Sequence, residues 1–582
     1  MIQNYFNYKV KVTDKPFTTE TGIKFDHTAA ISFLDENKKE IAYIELGFID
    51  KEEIYQMIDQ EKPLNLDYCY LENFSLADYR ESRNIEKKTY VKVHGFSAYN
   101  TFFDSRVITD FSFAEFDDEY ENFENAHFLN GAVSFQSAKF HQGGVNFAYT
   151  YFNDGNVDFS AVDFGTGEAN FKNSWFGTGH KNFQDAHFGE GNVLFVNAEF
   201  NDGDVTFVNT VFKSNRVSFK VARFGEGKIG FHFARFHCKE LIFERTEFGN
   251  GKVDFRTTEF ADAKVSFNRS VFGNGEKSFE AAQHKGGKIT FRKSIWGDGN
   301  ISFEQVEFDN STIYLDSADF GKGNVSFNNS RIHELSLKSC HLDYYVDLRL
   351  SKCTFIDLSD TIARDIIDIK PYNFRLDIDT INFAGMRLIG RIYIDWNINN
   401  IKELIYSQKD TSHRVFAEQF RILKENFSTT GQYADEDKAY VEFKRNELIA
   451  DLKDGKNKKF FARIWRYPSY AFQWLVFDKV GLYATNPLRV LASMLFGYIF
   501  FSLLYLILPF FVNTKIVSSL GDPDKLGPVA VAFYHSAITF LTIGYGDYYP
   551  SGVFRWLSGL EGFVGLFLMS YFTVAFVRKI LR

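Results

Sequence analysis

Cysteine and proline are scarce in this chain of 582 residues, with 4 of the first and 9 of the second. Cys69, Cys238, Cys340 and Cys353 show no CxxC spacing and no histidine partner pattern. That excludes a zinc or disulfide framework and leaves reduced thiols. No Ser-His-Asp or paired-carboxylate arrangement stands out, so an enzyme is not expected. Gly-x-Gly segments recur, as in Gly165-Thr166-Gly167 and Gly177-Thr178-Gly179, but none precedes a helix or carries the lysine of a phosphate loop. Nucleotide binding is therefore excluded and no cofactor is expected. The opening residues, through Asn4, Tyr5 and Phe6, are polar and mixed rather than a secretory signal.

What the chain has in excess is phenylalanine, 68 residues, far above average usage. It recurs every 12 residues from Phe135 through Phe147 and Phe159 to Phe303, and a second series runs from Phe140 through Phe152 to Phe272. The unit is represented by Val193-Leu194-Phe195-Val196-Asn197-Ala198-Glu199-Phe200. Self-similarity this regular means a solenoid. Small-x-large at five-residue spacing resembles the pentapeptide-repeat family, which implies a right-handed quadrilateral β-helix. Here the spacings alternate five and seven, and the extra residues are expected to turn corners at the Gly-x-Gly segments with positive φ.

A coil of 12 residues leaves too little room for two rings and a valine, whereas 24 residues supply four faces. Half-coils of 12 and coils of 24 residues are therefore expected, with Phe159 stacked on Phe135 and Phe183 at roughly 4.8 Å. The rhythm breaks at His284, Trp296 and Leu315, read as packing variants. His127, His141, His180, His187 and His232 are expected on solvated outer or turn positions. Charges between residues 131 and 330 nearly balance, which speaks against imitation of DNA and against a nucleic-acid partner.

Residues 1–100 lack the rhythm and are assigned to an N-terminal cap of α/β or mainly β structure, followed by the β-helix over 101–410. Strands are expected at Ala29 to Leu34 and Glu40 to Glu45, and a short helix at Ile49 to Ile58. From Arg414 the period turns helical: Phe416, Phe420, Leu423 and Phe427 share one face. A break at Ser428 to Gln432 and a second helix over Asp435 to Leu452 complete a hairpin, residues 411–455. With Lys424-Glu425-Asn426-Phe427 and Ala439-Tyr440-Val441-Glu442-Phe443-Lys444, it is similar to a tetratricopeptide-type hairpin. Residues 456–486 are basic and aromatic, with Trp465, Tyr467, Tyr470 and Trp474, and read as an amphipathic connector on a membrane surface.

Two apolar runs, Leu488 to Val512 and Val553 to Val577, are each long enough to cross a bilayer as a helix. A shorter one, Val529 to Leu541, lies between them and leads into Thr542-Ile543-Gly544-Tyr545-Gly546-Asp547. This hexapeptide resembles the selectivity filter of potassium channels. The order helix, short helix, filter, helix is similar to a two-transmembrane channel subunit with a re-entrant pore helix, over residues 487–582.

The resemblance implies that the carbonyls of Thr542, Ile543, Gly544 and Tyr545 hold potassium and that Gly546 and Asp547 shape the outer mouth. It implies that Tyr545 braces the loop from behind, that Tyr534 and His535 support it, and that Gly565 is a hinge. Ser570 and Thr573 are candidates for the inner cavity wall. Glu561, about two turns into the second run, needs a partner and is expected to accept hydrogen bonds behind the filter.

One chain supplies one edge of such a site, so a homotetramer is expected. Lys479, Arg489, Arg578, Lys579 and Arg582 place both termini inside the plasma (inner) membrane, among lipids. No arginine-rich helix is present, which excludes intrinsic voltage sensing. With five residues after Val577, any sensor is expected to be amino-terminal. The expected function is a potassium-selective channel with a cytoplasmic β-helix that regulates it or binds a protein or ligand. The alternative is a membrane-anchored scaffold whose conduction is secondary.

Overall fold

The computed structural model describes residues 5–117, 119–372, 374–454, 465–519 and 526–581. The connector residues 456–464, and Asp522, Asp524 and Lys525 between the apolar runs, lie outside them. The chain divides into two compact units, Met1–Gln408 and Lys409–Arg582.

The first unit is a parallel β-solenoid of about 14 turns. In its regular part each residue pairs with the one 24 positions on, along four ladders: Val145 with Ala169, Tyr151 with Trp175, Val157 with Lys181 and Asp163 with His187. The ladders exist because side chains in column are alike, so each coil offers the next the same shape. Phe135, Phe159 and Phe183 stack with centroids 4.9 Å apart and rings within 9° of parallel. Across the coil, neighbouring columns meet edge to face, as Phe147 meets Phe159 at 5.4 Å and 79°. Each such pair contributes about 0.5–1.5 kcal/mol beyond burial.

The variants in the rhythm keep their columns. Trp296 lies flat on Phe272 at 4.3 Å. Leu315 is fully buried. His284 is buried among rings and satisfied by the Ser311 hydroxyl at 2.7 Å and the Ala263 carbonyl at 2.8 Å.

The corners differ from expectation. Positive φ recurs at non-glycine residues two places after phenylalanine, such as Asn197 (54°) and Val221 (59°). There a tight turn closes with the Ala198 amide donating to the Phe195 carbonyl at 3.2 Å. Glycine is needed in the Gly-x-Gly segments mainly for another reason: coils touch there. A Cβ on Gly251 would fall 1.8 Å from the carbonyl oxygen of Gly227 in the coil before. Gly230, in a ladder strand, would meet nothing nearer than 3.6 Å. Gly251→Ala is therefore expected to destabilise the solenoid by about 1–3 kcal/mol, since the clash is with backbone. Gly230→Ala is expected to be neutral or to stabilise by about 0.4–1 kcal/mol. Thermal unfolding and hydrogen exchange over the surrounding coils check the pair.

His127 also departs from expectation. It is buried, lies flat on Phe102 at 4.3 Å, and burial pushes its imidazole down to about 4. It occupies a ladder position that sequence spacing alone does not distinguish from an outer one.

Coil pairing starts before residue 101, with Asn65 bridging Ser97 and Tyr70 pairing with Phe102. Ahead of it, antiparallel strands Asn7–Thr13, His27–Leu34 and Glu40–Phe48 form a cap, followed by the helix Lys51–Asp59. The cap passes into the solenoid where Gly47 pairs in parallel with Cys69. Towards the far end the spacing falls to 21 residues, with Arg331 opposite Lys352, and then rises to 25, with Lys352 opposite Asp377, before the helix Ile401–Tyr406.

In the second unit a hairpin of helices His413–Thr429 and Tyr433–Asp454 buries Phe416, Phe420, Leu423 and Phe427. The described part of the connector holds the helix Arg466–Gln473 and a wider turn of helix, Trp474–Val480. Two helices, Pro487–Phe510 and Phe554–Ile580, are long and apolar enough to cross a membrane.

Candidate functional site

Between the two long apolar helices stands the short helix Pro528–Phe540, whose first residue is proline, suited to a helix start because no amide is lost there. Phe501, Tyr505, Ala532, Phe540, Phe554 and Leu568 form the core that joins the three. Gly565 sets their closest approach. A Cβ there would lie 2.0 Å from the Phe540 carbonyl oxygen, so any side chain would push away the end of the short helix and the loop beyond it. The second long helix runs unbroken through this point, so the role visible for Gly565 is close packing.

The loop after the short helix is Thr542 to Asp547. Thr542, Gly544 and Gly546 have φ of 54°, 63° and 77°, so alternate residues are left-handed. Two of these three are glycines, which adopt the conformation without Cβ strain. The amides of Thr542 and Ile543 bond back to the carbonyls of Thr539 (3.0 Å) and Ile538 (2.8 Å), fixing the loop to its helix. Residues from Leu541 to Gly546 are exposed in the single chain. Tyr545 is 71% exposed, so the brace expected of it is not made within its own chain.

Asp547 is held instead. The Tyr534 hydroxyl donates to its carboxylate at 2.8 Å, and the Ser519 hydroxyl donates to the Gly546 carbonyl at 2.9 Å. His535 turns the other way. Its Nε2 meets the Ser558 hydroxyl at 3.0 Å, and the Tyr505 ring packs edge-on against it at 5.0 Å.

Glu561 is the centre of this second group. It is fully buried and accepts from the Ser536 hydroxyl at 2.5 Å and the Tyr505 hydroxyl at 2.8 Å. One carboxyl thus ties the second long helix to the short helix and to the first long helix. Tyr505, Ser536 and Ser558 were not singled out from sequence. Ser558, three residues before Glu561, was the one member a helical reading could have found. Ser570 and Thr573 sit on an exposed side, each hydroxyl turned back to a carbonyl one turn earlier, Leu566 at 2.9 Å and Met569 at 3.0 Å.

A second junction lies at the other end of the long helices. Asp437, in the first turns of the second hairpin helix, receives both Arg578 and Lys579 at 3.1 Å. The Arg578 guanidinium also lies over the Tyr440 ring, 4.5 Å from its centre. Arg445 of the same hairpin helix pairs with Asp478 of the connector at 2.8 Å. The Tyr571 hydroxyl accepts from the Ala484 amide at 3.1 Å. Hairpin, connector and second long helix are therefore bound together by charge and by hydrogen bonds. The exposed Trp465 and Trp474 leave the connector an aromatic surface.

Residues 493–582 match the model of a family described as an ion channel. No curated protein and no solved structure matches the chain. A β-solenoid thus precedes an ion-channel domain with two helices able to cross a membrane.

Proposed function

We propose that the protein is a potassium-selective channel in which four chains surround one pore and the N-terminal solenoid regulates opening. The observation that carries this reading is the exposed Thr542–Gly546 loop, with left-handed glycines at Gly544 and Gly546. A loop of this kind offers backbone carbonyls without side-chain obstruction. Carbonyls of Thr542, Ile543, Gly544 and Tyr545, with the Thr542 hydroxyl, replace the hydration shell of potassium. A single loop covers one side of an ion, and four close the ring. The long helices support the same reading, because only 22% of each apolar window is buried within the chain, leaving surface for lipid and for neighbouring chains.

Lys479 and Arg489 before the first long helix, and Arg578 and Lys579 at the end of the second, favour a cytoplasmic side for both ends. The hexapeptide then opens outward across the plasma (inner) membrane.

Purified protein in liposomes is expected to pass potassium and rubidium and to exclude sodium, with a tetramer as the native mass in detergent. Equal sodium and potassium permeability, or a monomer or dimer as the sole species, refutes the assignment. A scaffold with no conduction would give no flux at all. Deletion of residues 1–410, close to the division at Gln408, is expected to preserve selectivity and change open probability. Unchanged open probability under every condition would make the solenoid a scaffold rather than a regulator.

A further inference from the structure

Position 121 departs from the pattern of its ladder. Val145, Ala169, Val193 and Val217 follow one another in register, all apolar and all buried. Glu121 heads this column, pairs with Val145 and is 1% exposed. A carboxyl group therefore stands where four coils in succession carry only methyl groups.

A buried carboxylate is paired, is hydrogen-bonded or gives up its charge. Neither oxygen of Glu121 accepts a well-formed hydrogen bond among the described residues. The group that faces it is a second carboxyl, Asp117 of the same corner. Asp117 is firmly held. It accepts from the Gly95 amide of the preceding coil at 2.9 Å and from the Glu119 amide at 3.1 Å, and the His94 ring lies 3.6 Å away. Burial pushes Asp117 up, but these contacts outweigh it and keep the group below the usual carboxylate range. Glu121 is driven the other way. Burial, the Asp117 charge and the hydrogen bond to Asp117 push it up to about 9, with a smaller push from the Glu119 charge and a smaller opposite pull from the Phe96 amide. The following coil brings Gly143, Gly144 and Val145 to this corner, none of which titrates. Asp118 lies outside the described residues.

We propose that Glu121 and Asp117 share one proton, and that this proton latches the corner onto the coil before it. Glu121, as the acid, donates to the Asp117 carboxylate, which in turn holds the Gly95 amide. Loss of the proton leaves two carboxylates side by side in a buried corner, where like charges oppose each other. The first coils then loosen, near the place where the cap passes into the solenoid. An unfolded glutamate releases its proton near 4.5, and this one keeps it to about 9. The stability that the proton supplies is whole below pH 4.5 and is lost as pH rises to about 9, a window that includes neutral pH. The latch does not depend on the channel reading.

Infrared spectroscopy of the full chain in detergent tests it directly. A protonated-carboxyl band is expected at pH 7, absent from Glu121→Gln and lost from the unmutated protein as pH passes about 9. Asp117→Asn removes the facing charge and is expected to move that loss to lower pH. Hydrogen exchange gives a second readout. Opening of the coils over residues 91–123 is expected to rise about tenfold per pH unit between pH 6 and 8, relative to Glu121→Gln, which shares the intrinsic dependence of exchange on pH. Glu121→Val supplies the residue that Val145 places in the next coil and is expected to abolish the same slope, so either variant decides if the other fails to fold. A carboxyl band common to the unmutated protein and both variants, or one slope in all three, overturns the proposal. So does a band whose titration Asp117→Asn leaves in place, which would mean that burial alone holds the proton.

Discussion

Gly544→Ala is expected to abolish potassium-selective flux while leaving the chain folded and assembled. The two halves of this outcome have separate causes. Nothing lies within 4 Å of the position an added Cβ would take, so no clash within the chain unfolds anything. The cost comes from the backbone alone. Gly544 has φ of 63°, where an alanine is disfavoured by about 1–2 kcal/mol. On the proposed reading, with four chains around one ion, the sum is about 4–8 kcal/mol. That is enough to turn a carbonyl away from the axis, because the bond from the Gly544 amide to the Ile538 carbonyl is long, at 3.3 Å, and Tyr545 beyond it is exposed. Thr542 and Ile543 bond to the short helix, and Asp547 to Tyr534. Liposome flux with sodium, potassium and rubidium reads the effect, and native mass and thermal unfolding show whether assembly survives. Wild-type selectivity in Gly544→Ala would mean that this carbonyl does not face the ion, and the filter assignment would fall with it.

The apolar helices and the loop between them were legible because their signals are local. Two apolar lengths, a shorter one and a glycine-bearing hexapeptide follow from consecutive residues, and the observed helices begin and end within a few residues of the expected runs. The 24-residue coil was legible from volume: four rings need four faces, and Phe159 stacks on Phe135 and Phe183 as that argument requires. What the sequence concealed depends on neighbours in space. The glycines of the Gly-x-Gly segments respond to the coil before, a contact invisible within one repeat, so their purpose was read as a turn when it is chiefly proximity. His127 has the spacing of an outer residue, and only its contact with Phe102 makes it a core one. Glu561 announced itself as a charge in an apolar run. Its partners Ser536 and Tyr505 sit on two other helices, and no pattern within a single helix pairs them. The clamp at Asp437 was hidden for the same reason, since its partners Arg578 and Lys579 lie 141 and 142 residues further along the chain.

Asp437→Asn is expected to shift the open-closed equilibrium by about 5- to 150-fold, the range of a coupling free energy of about 1–3 kcal/mol. The aspartate lies in the first turns of a helix, a place that itself favours negative charge, and its side chain is only 10% exposed. Arg578, at 22% exposed, is the better shielded of its two cations, with Lys579 at 52%. Shielding matters, because exposed pairs contribute about 1 kcal/mol or less, whereas breaking a buried pair costs more. On the channel reading, the end of the second long helix must move for the pore to widen. The clamp holds that end to the hairpin, and Arg445 with Asp478 holds the hairpin to the connector. Removing the charge of Asp437 loosens the helix end, which keeps only the longer Arg578–Glu436 pair at 4.0 Å, the Tyr440 ring under Arg578 and the bond from Ala484 to Tyr571. The conformation with the clamp closed then loses population, and single-channel open probability reports the change. The effect must also depend on the partner. Arg578→Gln made in the Asp437→Asn background is expected to add less than it does alone, because its shortest ion pair is already gone and only Glu436 and the Tyr440 ring remain as partners. Full additivity of the two substitutions, with open probability shifting by the sum of their separate effects, would show that the ion pair does not carry the coupling. The path from solenoid to gate would then have to run through the connector and the first long helix.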